Sequence, residues 1–317
     1  MNLETLEKQV AETKIVEEEK KSKPRVSESS LKQYLTRIRK IYSLMNDGKK
    51  MDNIDWLKKA DKVIQFVLKE PTWKTVQSRA TYINAITSYL RNSKELPTAY
   101  KKYSDINKQI SSNIQKDKKD NKMTDKEKDT MISWDEILEK TKDITNVEDK
   151  ALVSVYTLFP PRRIESFRLM KVFTKRAGKV VPDDENYLVL NSKRIPQAFV
   201  FNKYKTAKVY GRQEFKLDKN LKAILKAYTD KGKANGSCLF GQANGSCLSQ
   251  PGFTSKVRNT FKKYTGKPLT VNNLRHSYIS SMDDKNLSIA DREKIALKMG
   301  HSVSTQHEYN RVDLENK

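Results

Sequence analysis

Residues 115–129 (QKDKKDNKMTDKEKD) restrict the architecture of this chain more than any other segment of its 317 residues. Met123 is the one apolar residue in the segment, and acidic and basic side chains alternate through the rest of it. A segment without apolar side chains cannot join a packed core, so it is typical of a solvated linker or a charged helical extension. The sequence therefore predicts two domains separated by a charged linker at 115–133, and a single domain is the alternative.

The part of the chain before the linker has the periodicity of amphipathic helices. Apolar residues recur at helical spacing in LKQYLTRIRKIYSLM and again within 55–70 and 78–92. These patterns predict a small, lysine-rich helical bundle at 27–114. Residues 1–26, rich in Glu and Lys, are predicted to be a frayed helix or a flexible arm. Its basic cluster Lys20, Lys21, Lys23 and Arg25 is a solvated charge run, a nuclear signal or a phosphate-binding arm.

The part after the linker, 134–317, combines helices with a few strands. ALVSVYTLF (151–159) predicts a buried helix ended by Pro160, and RRIESFRLM (162–170) predicts the helix that follows. Three strands are predicted at 186–191, 198–204 and 208–217, the last two forming a hairpin over Lys205, Thr206 and Ala207. The predicted fold class is mainly α with a small antiparallel β-sheet (α+β).

Both cysteines of the chain lie in a repeated hexapeptide. ANGSCL occurs at 234–239 and again at 243–248, and it contains Cys238 and Cys247. Two thiols without a second Cys or His pair nearby do not form a zinc site, and a reducing interior disfavours a disulfide. We therefore interpret both as loop residues without chemistry.

The charge of the chain indicates a polyanionic partner. Lys and Arg outnumber Asp and Glu by 63 to 39, a formal net charge of +24. Nucleic acid is the commonest partner of such a protein, and a membrane surface is the alternative. No stretch has the roughly 18 consecutive apolar residues of a membrane-spanning helix, and MNLETLEKQV is too charged for a signal peptide. We expect an intracellular protein.

The second domain contains the residue types that can break a phosphodiester bond. That reaction needs a nucleophile, cations around the phosphorus and an acid for the departing oxygen. Arg162 is placed at the start of a predicted helix, where Glu165 could support it across one turn. Arg275 lies in TVNNLRHSYISSM and shares a helix face with Asn272. Taken alone, Arg162 is more often a surface residue at such a place, and Arg275 is also explained as part of a structural ion pair.

His301 and Tyr309 follow near the end of the sequence. A helix capped by Ser288 and Asp291 and ended by Gly300 places His301 on a corner and not within a core. Tyr309 lies eight residues further on in a polar stretch. Its phenol has an ordinary pKa near 10, so it becomes a nucleophile only where cations stabilise the phenolate. As one of 14 tyrosines, it is a weak signal by itself.

Taken together, these motifs resemble the catalytic boxes of the tyrosine recombinases, the phage integrase family, in the correct order. The motifs are PPRRIE, the lysine in NKYKTAK, NNLRHSY and MGHSVSTQHEY. The resemblance covers roughly 135–317, and the preceding bundle resembles the core-binding domain of the family by position and character. The composition and PPRR are similar to integrases of large eukaryotic DNA viruses and their satellites, for which a host nucleus or a cytoplasmic viral replication site is expected.

The resemblance implies a role for each matched residue. Arg162 and Arg275 match the arginines that clamp the nonbridging oxygens, and His301 matches the residue that hydrogen-bonds the phosphate. Lys205 matches the general acid for the leaving 5′ hydroxyl, with Lys203 and Lys208 as nearby alternatives. Tyr309 matches the nucleophile that forms a 3′-phosphotyrosine.

The sequence departs from the family pattern in two places. Asn272 stands where the family usually has the histidine that accepts the tyrosine proton, and an amide is no base. His276, a water molecule or the leaving group then takes the proton, or the enzyme is slow or inactive. The spacing from His301 to Tyr309 is one residue shorter than the commonest pattern, and His307 is interpreted as a solvent-exposed neighbour of the nucleophile.

The resemblance also implies an assembly. Both domains form a C-shaped clamp around double-stranded DNA, and the working unit is a tetramer on two DNA sites held by exchange of the carboxyl-terminal segment. No metal or nucleotide cofactor is implied. The alternatives are a type IB topoisomerase, a catalytically inactive DNA-binding protein and a membrane-surface protein.

Overall fold

A computed structural model of the chain describes residues 28–91, 96–119, 123, 125–282 and 287–311. The chain divides into two compact units, Met1–Asp120 and Asn121–Lys317. The division falls inside the segment interpreted as a linker. The predicted arm at 1–26 and the end of the exchanged segment, 312–317, lie outside the described residues.

The first unit is built from helices alone within its described residues. Its elements are α1 (Glu28–Met45), a 3-10 turn (Asp55–Lys58), α2 (Ala60–Lys69), α3 (Val76–Leu90) and α4 (Pro97–Lys119). The predicted stripe of α1 faces inward: Leu35, Ile38 and Ile41 are buried, and Tyr42 packs against the same core. Because α4 continues to Lys119, the first residues of the predicted linker are helical.

The second unit surrounds a four-stranded sheet with helices. Its helices are α5 (Asp125–Thr130), α6 (Trp134–Thr141), α7 (Val147–Thr157), α8 (Ile164–Arg168), α9 (Ala207–Tyr210), α10 (Lys219–Thr229), α11 (Gln250–Thr265), α12 (Val271–Ser280), α13 (Ile289–Met299) and α14 (Val303–His307). Its strands are β1 (Met170–Thr174), β2 (Asn186–Leu190), β3 (Pro196–Phe201) and β4 (Gln213–Lys216). One large apolar core joins the sheet to α7, α10 and α11. Among the described residues, no helix is long and apolar enough to cross a membrane.

The α+β class is confirmed, but the sheet is mixed and not purely antiparallel. The strand order is β1-β2-β3-β4, in which β1 and β2 are parallel and the other two pairs are antiparallel. The predicted helix at 162–170 included Met170, the first residue of β1. The helix stops at Arg168 instead, because MKVFT alternates buried and half-buried side chains, as a strand packed on one face does.

The predicted antiparallel pairing of the last two strands is confirmed, but the predicted tight turn over Lys205, Thr206 and Ala207 is wrong. The chain leaves β3 at Phe201 and reaches β4 only at Gln213, and α9 lies between them where a strand was expected. The buried Asn186 side chain fixes the start of this connection, because its Oδ1 accepts hydrogen bonds from the backbone N–H groups of Asn202 and Lys203, both at 2.8 Å. The Tyr204 hydroxyl donates to the Gly211 carbonyl at 2.7 Å and closes the other end. We call residues 202–212 the β3–β4 connection.

The interpretation of the two cysteines as unpaired loop residues is also wrong. Cys238 and Cys247 form a disulfide with a Cα–Cα distance of 5.2 Å, inside the usual range for such bonds. Each hexapeptide makes a turn on a glycine of positive φ, +84° at Gly236 and +83° at Gly245. The Cys238 N–H donates to the Gly245 carbonyl at 2.9 Å. The repeat therefore places two similar turns against each other, which brings the sulfurs together.

Candidate active site

Four segments that are distant in the sequence meet beside the sheet of the second unit. The Arg275 guanidinium in α12 donates to the carbonyl of Pro161 at 2.7 Å and to that of Met299 at 3.3 Å. Arg162 precedes Arg163, the N-cap residue of α8, and donates to the Lys298 carbonyl at 2.7 Å. The segment before α8, the middle of α12 and the end of α13 therefore converge. Tyr309 follows α14 and completes the cluster, with its ring 4.4 Å from the centre of the Arg275 guanidinium.

Arg162 is held by the sheet and not by the acidic partner expected from the sequence. Its side chain is 1% exposed, and Nη1 also donates to Gln213 Oε1 at 2.9 Å. The guanidinium lies 4.0 Å from the ring of Phe201, the residue paired with Gln213 across β3 and β4. Nε donates to Ser166 at 3.3 Å, so Ser166 and not Glu165 supports the side chain. Burial lowers the pKa of Arg162 to about 9, which leaves the side chain charged at neutral pH.

Gly300 allows the close packing around Arg162. It ends α13 with φ +70°, and a Cβ at this position would lie 2.7 Å from Nη2 of Arg162. The Gly300 carbonyl accepts hydrogen bonds from Arg163 at 3.3 Å and from Thr206 at 2.8 Å. The sequence predicts Gly300 as a helix stop. Its contacts with Arg162, Arg163 and Thr206 cannot be predicted from the sequence, because these residues lie 94 to 138 positions away.

The two arginines retain hydrogen-bonding capacity inside the protein. Arg275 is 0% exposed, and its Nε and Nη2, together with Nη2 of Arg162, have no hydrogen-bond partner among the described residues. Burial lowers the pKa of Arg275, while the neighbouring Tyr309 phenol raises it. Guanidinium groups bind the oxygens of phosphate or carboxylate in pairs, so this pair of side chains is suited to an anion with several oxygens.

His301 is buried, contrary to the expectation that it lies on a corner outside the core. Its ring is 2% exposed, and Nδ1 lies 2.9 Å from the Ser302 carbonyl. A carbonyl only accepts, so Nδ1 carries the hydrogen and Nε2 is the second ring nitrogen, buried and without a described partner. Burial, with smaller contributions from the nearby arginines, lowers the pKa of His301 to about 4. The imidazole is therefore neutral at pH 7.

Tyr309 is half-buried between cationic and aromatic groups. The ring packs against the apolar cluster of Ile279, Met282 and Met299, although the surrounding sequence is polar. Its centroid lies 5.0 Å from that of His276 and 5.7 Å from that of His301. The spacing from His301, shorter than in the family pattern, still brings the two rings into contact.

The other predicted residues lie around this cluster in different ways. Asn272 is exposed at the start of α12, where Asn273 and Thr270 form the capping box. His276 donates from Nδ1 to the backbone carbonyl of Tyr309 at 2.7 Å. His307 is exposed, as predicted.

The candidate lysines lie on the β3–β4 connection. Lys205 is exposed between Tyr204, whose ring lies 4.8 Å from the Arg162 guanidinium, and Thr206, which contacts Gly300. Its amine has no hydrogen bond to a described residue. Lys203 is paired with Glu185 at 3.3 Å, and Lys208 is exposed. Lys205 is thus the lysine flanked on both sides by residues of the cluster.

The described residues contain no group of three His, Cys, Asp or Glu side chains arranged to hold a metal ion. The arrangement is instead a cluster of buried cationic side chains beside a half-buried tyrosine. Such a cluster can bind a phosphate group and stabilise negative charge that develops on it.

Comparison with known proteins agrees with this arrangement at the level of the fold. No protein-family model matches the chain, and no curated protein matches it by sequence. Among solved structures, a lambda integrase dimer bound to a COC′ core site is similar with a TM-score of 0.52 and 13% identity, over 100% of this chain and 98% of that one. The Tn1549 transposon integrase in complex with transposon right end DNA has a TM-score of 0.50 and 11% identity, over 97% and 95% of the chains. The chain therefore has the fold of the tyrosine recombinases.

Proposed function

We propose that this protein is a site-specific DNA recombinase or integrase that cleaves and rejoins DNA strands through a 3′-phosphotyrosine on Tyr309. The observation that carries the proposal is the convergence of Arg162, Arg275, His301 and Tyr309 in one cluster. These residues match the boxes of the family in sequence, and the fold is that of DNA-bound integrases. Because a fold does not fix an activity, the proposal rests on these residues as well as on the fold.

The proposed cleavage reaction follows from the charges of the cluster. The Tyr309 oxygen attacks the phosphorus and forms a phosphotyrosine, while the bond from phosphorus to the 5′ oxygen breaks. Arg162 and Arg275 hold the nonbridging oxygens, and their charge acts strongly because both are shielded from water. Lys205 delivers a proton to the departing 5′ oxygen. Attack of a 5′ hydroxyl from a second strand on the phosphotyrosine reverses these steps and rejoins the DNA, so no external energy source is required.

The proton of Tyr309 leaves by a route other than the usual histidine. Asn272 cannot accept it, and both ring nitrogens of His276 already have partners, the Tyr309 carbonyl at 2.7 Å and Arg311 at 3.5 Å. The leaving oxygen takes its proton from Lys205, so we assign the Tyr309 proton to a water molecule. This assignment predicts a slow cleavage step.

The partners proposed for this activity are double-stranded DNA and further copies of the same chain. The net charge of +24 favours phosphate contacts that are independent of sequence, while a few base contacts and DNA shape select the site. A tetramer on two sites is proposed from the resemblance to the family.

A nicked suicide substrate tests the proposal directly. The purified chain and Tyr309→Phe are incubated with DNA carrying candidate attachment sites, and an SDS-resistant protein–DNA adduct is measured. We expect an adduct with the wild type and none with Tyr309→Phe. An equally strong adduct in both proteins would show that Tyr309 is not the nucleophile. Relaxation of a supercoiled plasmid that lacks the site would indicate a type IB topoisomerase instead.

A catalytically inactive DNA-binding protein is the second candidate, and the exposed Asn272 favours it. Binding to DNA without an adduct, across a randomised DNA library, would support this candidate. Asn272→His provides a gain-of-function control, because it restores the residue type of the family at this position.

A further inference from the structure

Arg311, two residues after Tyr309, connects three parts of the second unit. Its Nη1 donates to the carbonyls of Glu308 and Asn310, each at 2.8 Å, and so grips the backbone on both sides of Tyr309. Its backbone N–H donates to Ser280 Oγ of α12 at 3.0 Å. These contacts fix the turn that carries Tyr309 against α12.

His276 reaches the same turn from α12. Its Nδ1 donates to the Tyr309 carbonyl, which leaves Nε2 as the acceptor of the neutral ring. Nη2 of Arg311 lies 3.5 Å from that nitrogen, on the side where a donor is needed. Arg311 thereby favours the tautomer of His276 that holds the Tyr309 backbone.

Glu127 anchors Arg311 from a third element. Its carboxylate lies 3.1 Å from Nε of Arg311, and the two side chains are only 20% and 17% exposed, so the pair is shielded from solvent more than an ordinary surface ion pair. Glu127 belongs to α5, within the predicted linker at 115–133. In the chain, this helix follows the division between the two units at 120/121.

We propose that Glu127, Arg311 and His276, which we call the anchor network, position Tyr309 for attack on DNA. This inference rests on the proposed function. Arg311 and His276 are positioning residues, because they contact the backbone of the nucleophile and not its hydroxyl. Since Glu127 lies on α5, this helix of the second unit takes part in setting the cleavage rate.

Glu127→Gln is the variant that tests the anchor network, because it keeps the shape of the side chain and removes its charge. Glu136→Gln is the matched control: Glu136 lies on α6 of the same unit and forms an exposed pair with Lys140 at 2.7 Å. Single-turnover adduct formation is measured at saturating DNA, together with the DNA concentration that gives half-saturation. We expect Glu127→Gln to slow adduct formation about 10-fold, since small displacements of a reacting group have large effects on rate, with half-saturation unchanged.

A second readout does not depend on catalysis. Hydrogen exchange of the backbone amides at 309–311 is followed by mass spectrometry in the DNA-free proteins. We expect faster exchange in Glu127→Gln than in the wild type and in Glu136→Gln. Because Glu127 acts through Arg311, the exchange rates of Arg311→Gln and of the double variant Glu127→Gln/Arg311→Gln should be equal.

The two readouts separate the possible failures. If the wild type forms no adduct on any DNA, the proposed recombinase activity fails, while the exchange rates still decide whether the network holds the Tyr309 turn. Unchanged exchange at 309–311 in Glu127→Gln overturns the anchor network. An unchanged adduct rate in Glu127→Gln, with the wild type active, overturns its role in positioning.

Discussion

Arg162 and Arg275 are buried without an ion pair to any described carboxylate, which is an unusual state for two guanidinium groups. Moving one such charge out of water costs several kcal/mol even after the protein relaxes. The carbonyls of Pro161, Lys298 and Met299 offset part of that cost. The unpartnered Nη2 of Arg162 and Nε and Nη2 of Arg275 are the donors that a bound anion would complete.

A substitution of Gly300 tests the packing around Arg162. In Gly300→Ala the new methyl group meets the Arg162 guanidinium, and the left-handed backbone is strained as well. Gly266→Ala is a matched control, because Gly266 also ends a helix, has φ +77° and has no atom within 4 Å of the added Cβ. We expect a loss of about 1 kcal/mol of unfolding free energy in the control and at least about 1 kcal/mol more in Gly300→Ala.

Chemical unfolding in urea measures both losses, and the adduct assay shows whether Arg162 has moved. Adduct formation should fall only in Gly300→Ala. Equal losses of stability in the two variants would mean that the contact between the added methyl group and Arg162 does not affect the free energy of unfolding.

His301 makes the stability of the protein depend on pH. Above about pH 6.5 the imidazole is neutral in both the folded and the unfolded state. Between about pH 6.5 and pH 4 the unfolded chain binds a proton that the folded protein does not, because burial and the charges of Arg275, Arg163 and Arg162 lower the pKa of His301 to about 4. The unfolding free energy therefore falls as the pH falls through this window, by up to about 3 kcal/mol.

The contribution of His301 is measured as a difference between proteins. The unfolding free energies of the wild type and His301→Gln are compared at pH 7.5 and pH 5. We expect the wild type to lose more stability on acidification than the variant. Burial also lowers the pKa of His276, which adds a decrease of the same sign to both proteins and cancels in the comparison. Identical losses in the two proteins would show that His301 is not held neutral.

At the scale of elements, the helices could be predicted from the sequence more accurately than the strands and the connection between them. The inward stripe of α1, the Ser288 cap of α13 and the stop at Gly300 follow from local spacing and capping, so the sequence predicts them. The start of β1 and the path of the β3–β4 connection depend on Asn186, a buried side chain whose partners lie 16 to 20 residues away in sequence. No local pattern contains that information.

The residues of the site also divide into those that a sequence motif predicts and those that only tertiary contacts reveal. Arg162, Arg275, His301 and Tyr309 were singled out because their motifs occur in a recognisable order. Gln213 and Arg311 were missed, because an isolated Gln or Arg gains its meaning only from the tertiary contacts that it makes.

The disulfide between the two hexapeptides gives a prediction about one element, the loop from Lys231 to Ser249. Closing a loop between cysteines nine residues apart restricts the unfolded chain, which corresponds to about 2 to 3 kcal/mol. We expect the non-reduced protein to contain no thiol reactive toward alkylation after denaturation, and reduction to lower the unfolding free energy by up to this amount. Cys247→Ser serves as the control, since reduction should leave its stability unchanged. Two alkylated thiols in the non-reduced wild type would contradict the bond.

At the scale of the whole molecule, the excess of basic residues sets how binding responds to salt. The net charge of +24 arises from 63 Lys and Arg against 39 Asp and Glu, and basic residues occur in both units. Each phosphate that a cation neutralises releases a counterion, so the affinity for DNA falls with added salt in proportion to the number of contacts. For 6 to 10 phosphate contacts the affinity falls by about 10³ to 10⁵ between 50 and 200 mM salt.

Fluorescence anisotropy with Tyr309→Phe measures this dependence without interference from cleavage. The slope of log affinity against log salt gives the number of contacts, and it should be similar for a candidate site and for random DNA of the same length. Selectivity for the site then appears as a constant ratio between two parallel lines, because base contacts add affinity without releasing more counterions. A nearly flat dependence on salt would mean that the positive charge does not contact the DNA backbone, and the proposed binding through phosphate contacts would be wrong.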